Sequence, residues 1–281
     1  MREISASLIK NTVKKLFIDA NHELGKDEKC AIEQAAKNEK SPVGQSILAS
    51  LCENLSAARE MHIPICQDTG MAVVFVEVGQ DVHITDGGFE EAINDGVADA
   101  YTEGYMRASV VKDPVFCRVN TKNNTPAVIH TRIVDGDKIK ITALPKGFGS
   151  ENMSALKMMM PSATREEIVD FVVETVKNAG SNPCPPIMIG VGIGGTFDHA
   201  PILAKIALAR GIKTENPNPD YAMLEKDILA RVNKLGIGPQ GFGGDTTALG
   251  VNIEYYPTHI AGLPVAVNIN CHVMRHKTAI I

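Results

Sequence analysis

The sequence predicts an α/β protein: an N-terminal helical layer followed by mixed α/β structure with a hairpin and short buried strands. Three observations carry this. Residues 1–61 repeat apolar positions at helical spacing. From residue 71 onward, short β-branched runs alternate with helical patterns. Gly and Pro gather in four loops between those elements. The expected organisation is a single α/β unit over 1–281, with its helical segment at about 1–61 and the α/β part at about 62–281.

Ile9, Val13, Leu16 and Ala20 recur as one helix face. Ser41-Pro42 supplies an N-cap and a first-turn proline, and Val43, Ile47, Leu51, Leu55 and Ala58 form the next face. Val73 to Val76 reads as a strand ended by Gly79. Phe89, Ile93, Val97 and Tyr101 mark a helix over 88–104. Residues 127–144 read as a hairpin turning at Asp135-Gly136. Thr164 to Glu167 is a capping box before Ile168, Val172 and Val176. Residues 187–191 form a short buried strand, 197–210 a helix, and 219–235 another closed by Gly236. Strands are expected at 251–256 and 263–269.

Composition removes several function classes. Hydrophobic residues at 44% and charged residues at 22% exclude disordered, collagenous and coiled-coil chains. Aromatics are only 5%, with no Trp, so the core is aliphatic. A net charge of −5 gives no basic footprint for general nucleic-acid binding. The longest apolar run, 185–195, is rich in Gly and Pro and shorter than the roughly 18 residues of a membrane span. The start, Met1-Arg2-Glu3-Ile4, lacks the apolar core of a signal peptide, so a cytoplasmic protein is expected.

Six cysteines in 281 residues are too dilute for a disulfide scaffold. Cys30 and Cys52 fall on expected helices and Cys117 on an expected strand, where buried thiols are the simple reading. Cys66, Cys184 and Cys271 fall in Pro/Gly or polar loops. Their separations do not by themselves define a metal site. Gly190-x-Gly192-x-x-Gly195 matches a dinucleotide-binding fingerprint, with a strand before it and a helix after it. A nucleotide-binding module is therefore a competing reading, with Glu215 the nearest plausible acidic residue further on.

Four motifs occur in order: Cys66-Gln67-Asp68-Thr69-Gly70; Lys146-Gly147-Phe148-Gly149-Ser150-Glu151-Asn152; Cys184-Pro185-Pro186 with Gly190 to Thr196; and Cys271-His272-Val273-Met274-Arg275-His276. Together they resemble the class I, iron–sulfur fumarate hydratases and the related tartrate dehydratases, from about Leu51 onward. The resemblance implies the α part of a two-part catalytic unit, completed by a β subunit in an α2β2 assembly and inactive without it. It implies a [4Fe–4S] cluster held by Cys66, Cys184 and Cys271, with one open iron acting as a Lewis acid. The implied reaction is reversible hydration of fumarate to (S)-malate, a step of the tricarboxylic acid cycle. Asp68 is the implied acid/base, and Gln67, Arg107, Gly149 and His259 are implied substrate contacts. Taken singly, Asp68 could be a turn former, Arg107 a solvated charge and His259 a satisfied core histidine. The loop over 146–152 looks like the fumarase version, except that Phe148 stands where fumarases have Gly. Tartrate dehydratase is the alternative assignment.

Overall fold

The computed structural model describes residues 1–281. β1 (Arg2–Ser5), α1 (Ala6–His22), α2 (Lys26–Asn38) and α3 (Pro42–Met61) come first. β2 (Met71–Gly79), β3 (Val82–Thr85), α4 (Phe89–Glu103), β4 (Val128–Val134) and β5 (Ile139–Lys146) follow. Next are α5 (Phe148–Glu151), β6 (Ala155–Met159), α6 (Arg165–Ala179) and β7 (Ile187–Gly194). Last come α7 (His199–Ala209), α8 (Pro219–Asn233), β8 (Ala248–Tyr256), β9 (Leu263–Asn270) and β10 (Lys277–Ile280). The expected class, helices first and mixed α/β after, is the one observed. No helix is long and apolar enough to cross a membrane.

The elements make two compact units. One comprises Met1–Gly25, Leu55–Phe148 and Arg275–Ile281; the other comprises Lys26–Asn54 and Gly149–Met274.

In the first unit the sheet order is β10-β5-β2-β4, beside a two-stranded β1-β3 ribbon. Ser5 caps α1, its hydroxyl accepting from the Leu8 N–H at 3.3 Å. Ile9, Val13, Leu16 and Phe17 of α1 pack with Ile93, Val97 and Ala100 of α4 over Val74, Val76, Ile139 and Ile141 of the sheet. Each of the Val, Leu, Ile and Phe side chains among these contributes about 1.5–3 kcal/mol by leaving water. The pairing at 127–144 differs from the expected hairpin. β4 and β5 do not pair with each other; β2 lies between them, parallel to β4 and antiparallel to β5. The Asp135-Gly136 turn wraps the end of β2, where the N–H groups of Gly79, Gln80 and Asp81 donate to the carbonyls of Lys138, Val134 and Gly136. Alternation identifies a strand with one covered side, not the neighbour it pairs with.

In the second unit the sheet order is β6-β9-β7-β8, and β7 is buried along its whole length. Its alternate residues serve two helical layers. Ile187, Ile189, Val191 and Ile193 join Val169, Val172 and Val176 of α6 and Leu224, Ile228 and Val232 of α8 in one core cluster. Gly190 and Gly192 carry α7: a Cβ at either would lie 2.1 Å from the Ala204 carbonyl or 2.0 Å from the Ala200 carbonyl. The Thr164 capping box opens α6 as expected. Ser41 caps α3 through the Gly44 N–H at 3.2 Å; of its expected face Leu55 and Ala58 are buried, Ile47 and Leu51 half-buried and Val43 exposed, while Gly44 and Leu48 are buried as well.

Glu39, 2% exposed, ties the end of α2 to the loop before β8. Its Oε1 accepts from the N–H groups of Lys40, Ser41 and Asp245 at 3.0, 3.0 and 2.9 Å, and its Oε2 from Thr246 N–H at 2.9 Å. Burial pushes its carboxyl upward, but the donors from Asp245, Ser41 and Thr246 outweigh this and hold it at about 2.

Candidate functional site

In the first unit the site residues gather on the loop between α3 and β2. The Ile65 N–H donates to the Asn21 carbonyl at 2.9 Å, which fixes the entry to Cys66. Arg275, 2% exposed, donates through Nη1 to the Asp68 carbonyl at 2.6 Å and to Asn21 Oδ1 at 3.0 Å. Tyr101, 2% exposed, shares its hydroxyl proton between the carbonyls of Thr69 and Gly70, at 2.8 and 2.7 Å. Burial pushes that phenol well above its ordinary range, so it stays a donor. Fully buried Asn124 also donates to the Gly70 carbonyl, at 3.0 Å. Gly70 has φ +78, and a Cβ there would lie 2.7 Å from the Lys146 backbone, so only glycine lets the loop pass so close.

This scaffold aims the Asp68 carboxylate. Oδ1 accepts from the Gly70 N–H and Oδ2 from the Phe148 N–H, both at 3.0 Å. Each oxygen keeps a further acceptor site. Arg107 is tied to the same loop. The Thr69 hydroxyl accepts from the Arg107 N–H at 3.0 Å and donates to the Arg107 carbonyl at 3.1 Å. Its side chain is exposed, as is that of Gln67, and Cys66 is half-buried. The first unit thus brings together Cys66, Gln67, Asp68 and Arg107.

The second unit holds Gly149, Cys184, His259 and Cys271. Cys184 is exposed at φ +55, a conformation few non-glycine residues adopt, and its N–H donates to the Ser181 carbonyl at 3.0 Å. Cys271 is half-buried just after β9. The adjacent His272 places Nδ1 3.0 Å from the Cys184 carbonyl, which links the two cysteine segments. His259 is an exposed loop residue rather than a core histidine; its Nδ1 accepts from the Ala261 N–H at 3.1 Å, which leaves Nε2 as the donor of the neutral ring. Gly149 is exposed within α5. In neither unit do three His, Cys, Asp or Glu side chains converge as a ready metal site.

Two other cysteine expectations are corrected. Cys30 and Cys117 are exposed, not buried. Cys117 lies in a loop rather than a strand, because the Asp113 carboxylate gathers the N–H groups of Val115, Phe116 and Cys117. Of Cys30, Cys52 and Cys117, Cys52 alone is half-buried, and burial pushes its thiol upward. The glycine fingerprint is explained by packing. Gly190 and Gly192 lie inside β7, beneath α7, not in a loop that could cradle a phosphate. Sequence reasoning assigned no role to Tyr101, Asn124 or Arg275. The signal for Arg275 was its place in the motif that begins at Cys271, and the signal for Tyr101 was a hydroxyl on an otherwise apolar helix face.

The sequence profile of the family described as fumarate hydratase (Fumerase) matches residues 10–280. The chain belongs to this family. It is 43% identical over 269 residues to a protein of Methanocaldococcus jannaschii named putative L(+)-tartrate dehydratase subunit alpha, covering 94% of each chain. It is 33% identical over 254 residues to the L(+)-tartrate dehydratase subunit alpha of Escherichia coli K12, covering 89% of this chain and 83% of that one. The family is one of hydro-lyases, so lyase chemistry is the family-level activity.

Proposed function

We propose that the chain is the α subunit of an iron–sulfur hydro-lyase that removes water from a hydroxy-dicarboxylate, with L(+)-tartrate as its substrate. The reading is carried by Asp68, a carboxylate locked by backbone donors on a loop that starts at Cys66 and is tied to Arg107. The choice of tartrate is supported by the names of the relatives above. Fumarate is the second reading, favoured by the Lys146–Asn152 loop sequence and by the family's description.

The donors present fit a [4Fe–4S] cluster. Cys66, Cys184 and Cys271 lie on loops, outside any disulfide, and thiolates are the ligands such clusters take. They would hold the cluster at three of its irons. When bound, it supplies Lewis-acid stabilisation of the departing hydroxide. Asp68 takes the proton from the carbon next to the one that loses hydroxide, and returns it in the reverse direction. Arg107 pairs its guanidinium with a substrate carboxylate. Gln67, the Gly149 N–H and the His259 Nε2–H orient the remaining oxygens. The relatives are named as α subunits, which supports a β partner that completes the site in an α2β2 assembly. Exposed reduced thiols suit a reducing, cytoplasmic location.

Anaerobic reconstitution with iron and sulfide is expected to give a brown protein, and Cys66→Ser, Cys184→Ser or Cys271→Ser a colourless one. Mixed with a β partner, the loaded chain should dehydrate L(+)-tartrate faster than (S)-malate. A colourless wild type sinks the cluster; turnover of malate without tartrate sinks the substrate choice.

A further inference from the structure

We infer that Gln240 is a positioning residue that fastens the Cys184 loop to the Cys271-His272 segment and so keeps two thiols of the proposed cluster in register. The inference rests on the cluster reading above. Gln240 stands at the centre of the 3-10 turn Pro239–Gly241 with φ 52 and ψ 16, a left-handed conformation that glutamine rarely adopts. Its backbone N–H donates to the Pro185 carbonyl at 2.8 Å, and its side-chain Nε2 donates to the same carbonyl at 2.7 Å. Both acceptor sites of the carbonyl of Pro185, the residue after Cys184, are thereby filled by one residue.

The same Nε2 lies 3.3 Å from His272 Nδ1, which in turn lies 3.0 Å from the Cys184 carbonyl. The Gln240 amide thus lies against the same ring nitrogen that meets the Cys184 carbonyl. It cannot turn over, because its oxygen would face the Pro185 carbonyl. One side chain therefore touches the residue after Cys184 and the residue after Cys271. The loop that presents it is anchored beyond by Glu39, at the N–H groups of Asp245 and Thr246. Residues that orient metal ligands without touching the metal change its retention by about 10- to 100-fold when removed.

The test uses two variants of the full chain. Gln240→Met keeps the side chain's length and removes its donor. Gln240→Gly removes the side chain at a φ that suits glycine, so the turn survives. Two properties are read besides activity: the rate at which an iron chelator bleaches the visible spectrum of the reconstituted chain, and the rates at which iodoacetamide alkylates Cys184 and Cys271 in the cluster-free chain, relative to exposed Cys30. Both variants are expected to melt with the wild type and to bleach about 10- to 100-fold faster. Cys184 and Cys271 should gain reactivity relative to Cys30. A wild type that loads and variants that load, bleach and alkylate at the wild-type rates overturn this inference alone. A wild type that takes up no cluster overturns the proposed function and this inference with it. Should Gln240→Met fail to fold, Gln240→Gly decides.

Discussion

Glu39→Gln is expected to cost the second unit about 3 kcal/mol at neutral pH. Glutamine mimics the protonated acid: it keeps one acceptor oxygen and replaces the other with an NH2 group. That group would face the Thr246 N–H, which Oε2 now accepts at 2.9 Å, so donor meets donor in a buried site. The magnitude follows from linkage. Folding lowers the carboxyl from 4.5 to about 2, and at about 1.4 kcal/mol per tenfold step the interval amounts to about 3 kcal/mol. Because the folded value is depressed, this stability is fully present above the unfolded value of 4.5 and is lost as pH falls through about 2. At pH 3 less than half should remain, about 1 kcal/mol. The assay is thermal melting of wild type and variant between pH 7 and pH 3. For a domain of about 150–250 residues the gap at pH 7 should be about 6–12 °C. A variant that melts with the wild type at pH 7 would refute the reasoning, as would a gap that does not shrink on acidification.

Gly192→Ala should destabilise the second unit by about 3 kcal/mol or lead to insoluble protein, since its Cβ would lie 2.0 Å from a helix carbonyl; chemical denaturation within about 0.5 kcal/mol of wild type would rule out the packing role. Asp68→Asn keeps an acceptor for the Gly70 N–H but sets its NH2 group against the exposed Phe148 N–H, so a loss of only about 1 kcal/mol in stability is expected. It should lower kcat about a hundred- to ten-thousandfold, and near-normal turnover by the loaded complex would remove Asp68 from the chemistry. Tyr101→Phe deprives the Thr69 carbonyl of its Tyr101 donor; a loss of about 1–3 kcal/mol in urea unfolding is expected, and a neutral result would mean the loop is held without it.

What could be read from the sequence was local. The Thr164 capping box, the Ser41 cap and the α1 and α4 faces all stand where spacing put them, because each depends on residues within a turn or two. Pairing was not local. Nothing in 127–144 announces that β2 will slide between β4 and β5, since alternation is the same whichever strand lies alongside. The Asp68 loop was legible as a motif but not as a structure. Its holders, Asn21, Tyr101, Asn124 and Arg275, come from four distant stretches and include ordinary polar residues whose role exists only once the fold brings them in. Cys30 and Cys117 show the converse error, in which residue type suggested burial and the surroundings did not provide it.

The assembly of the first unit from three separated segments has a consequence for synthesis. A ribosome delivers Asp68 early, but the guanidinium that grips its carbonyl belongs to Arg275. Likewise β10, which pairs with β5 along Ala143 to Lys140, emerges only after residue 276. Throughout most of translation the acid-bearing loop therefore lacks its clamp. By the time that clamp arrives, Cys66, Cys184 and Cys271 have all been made. The order of synthesis keeps the three thiols ahead of the step that locks the loop.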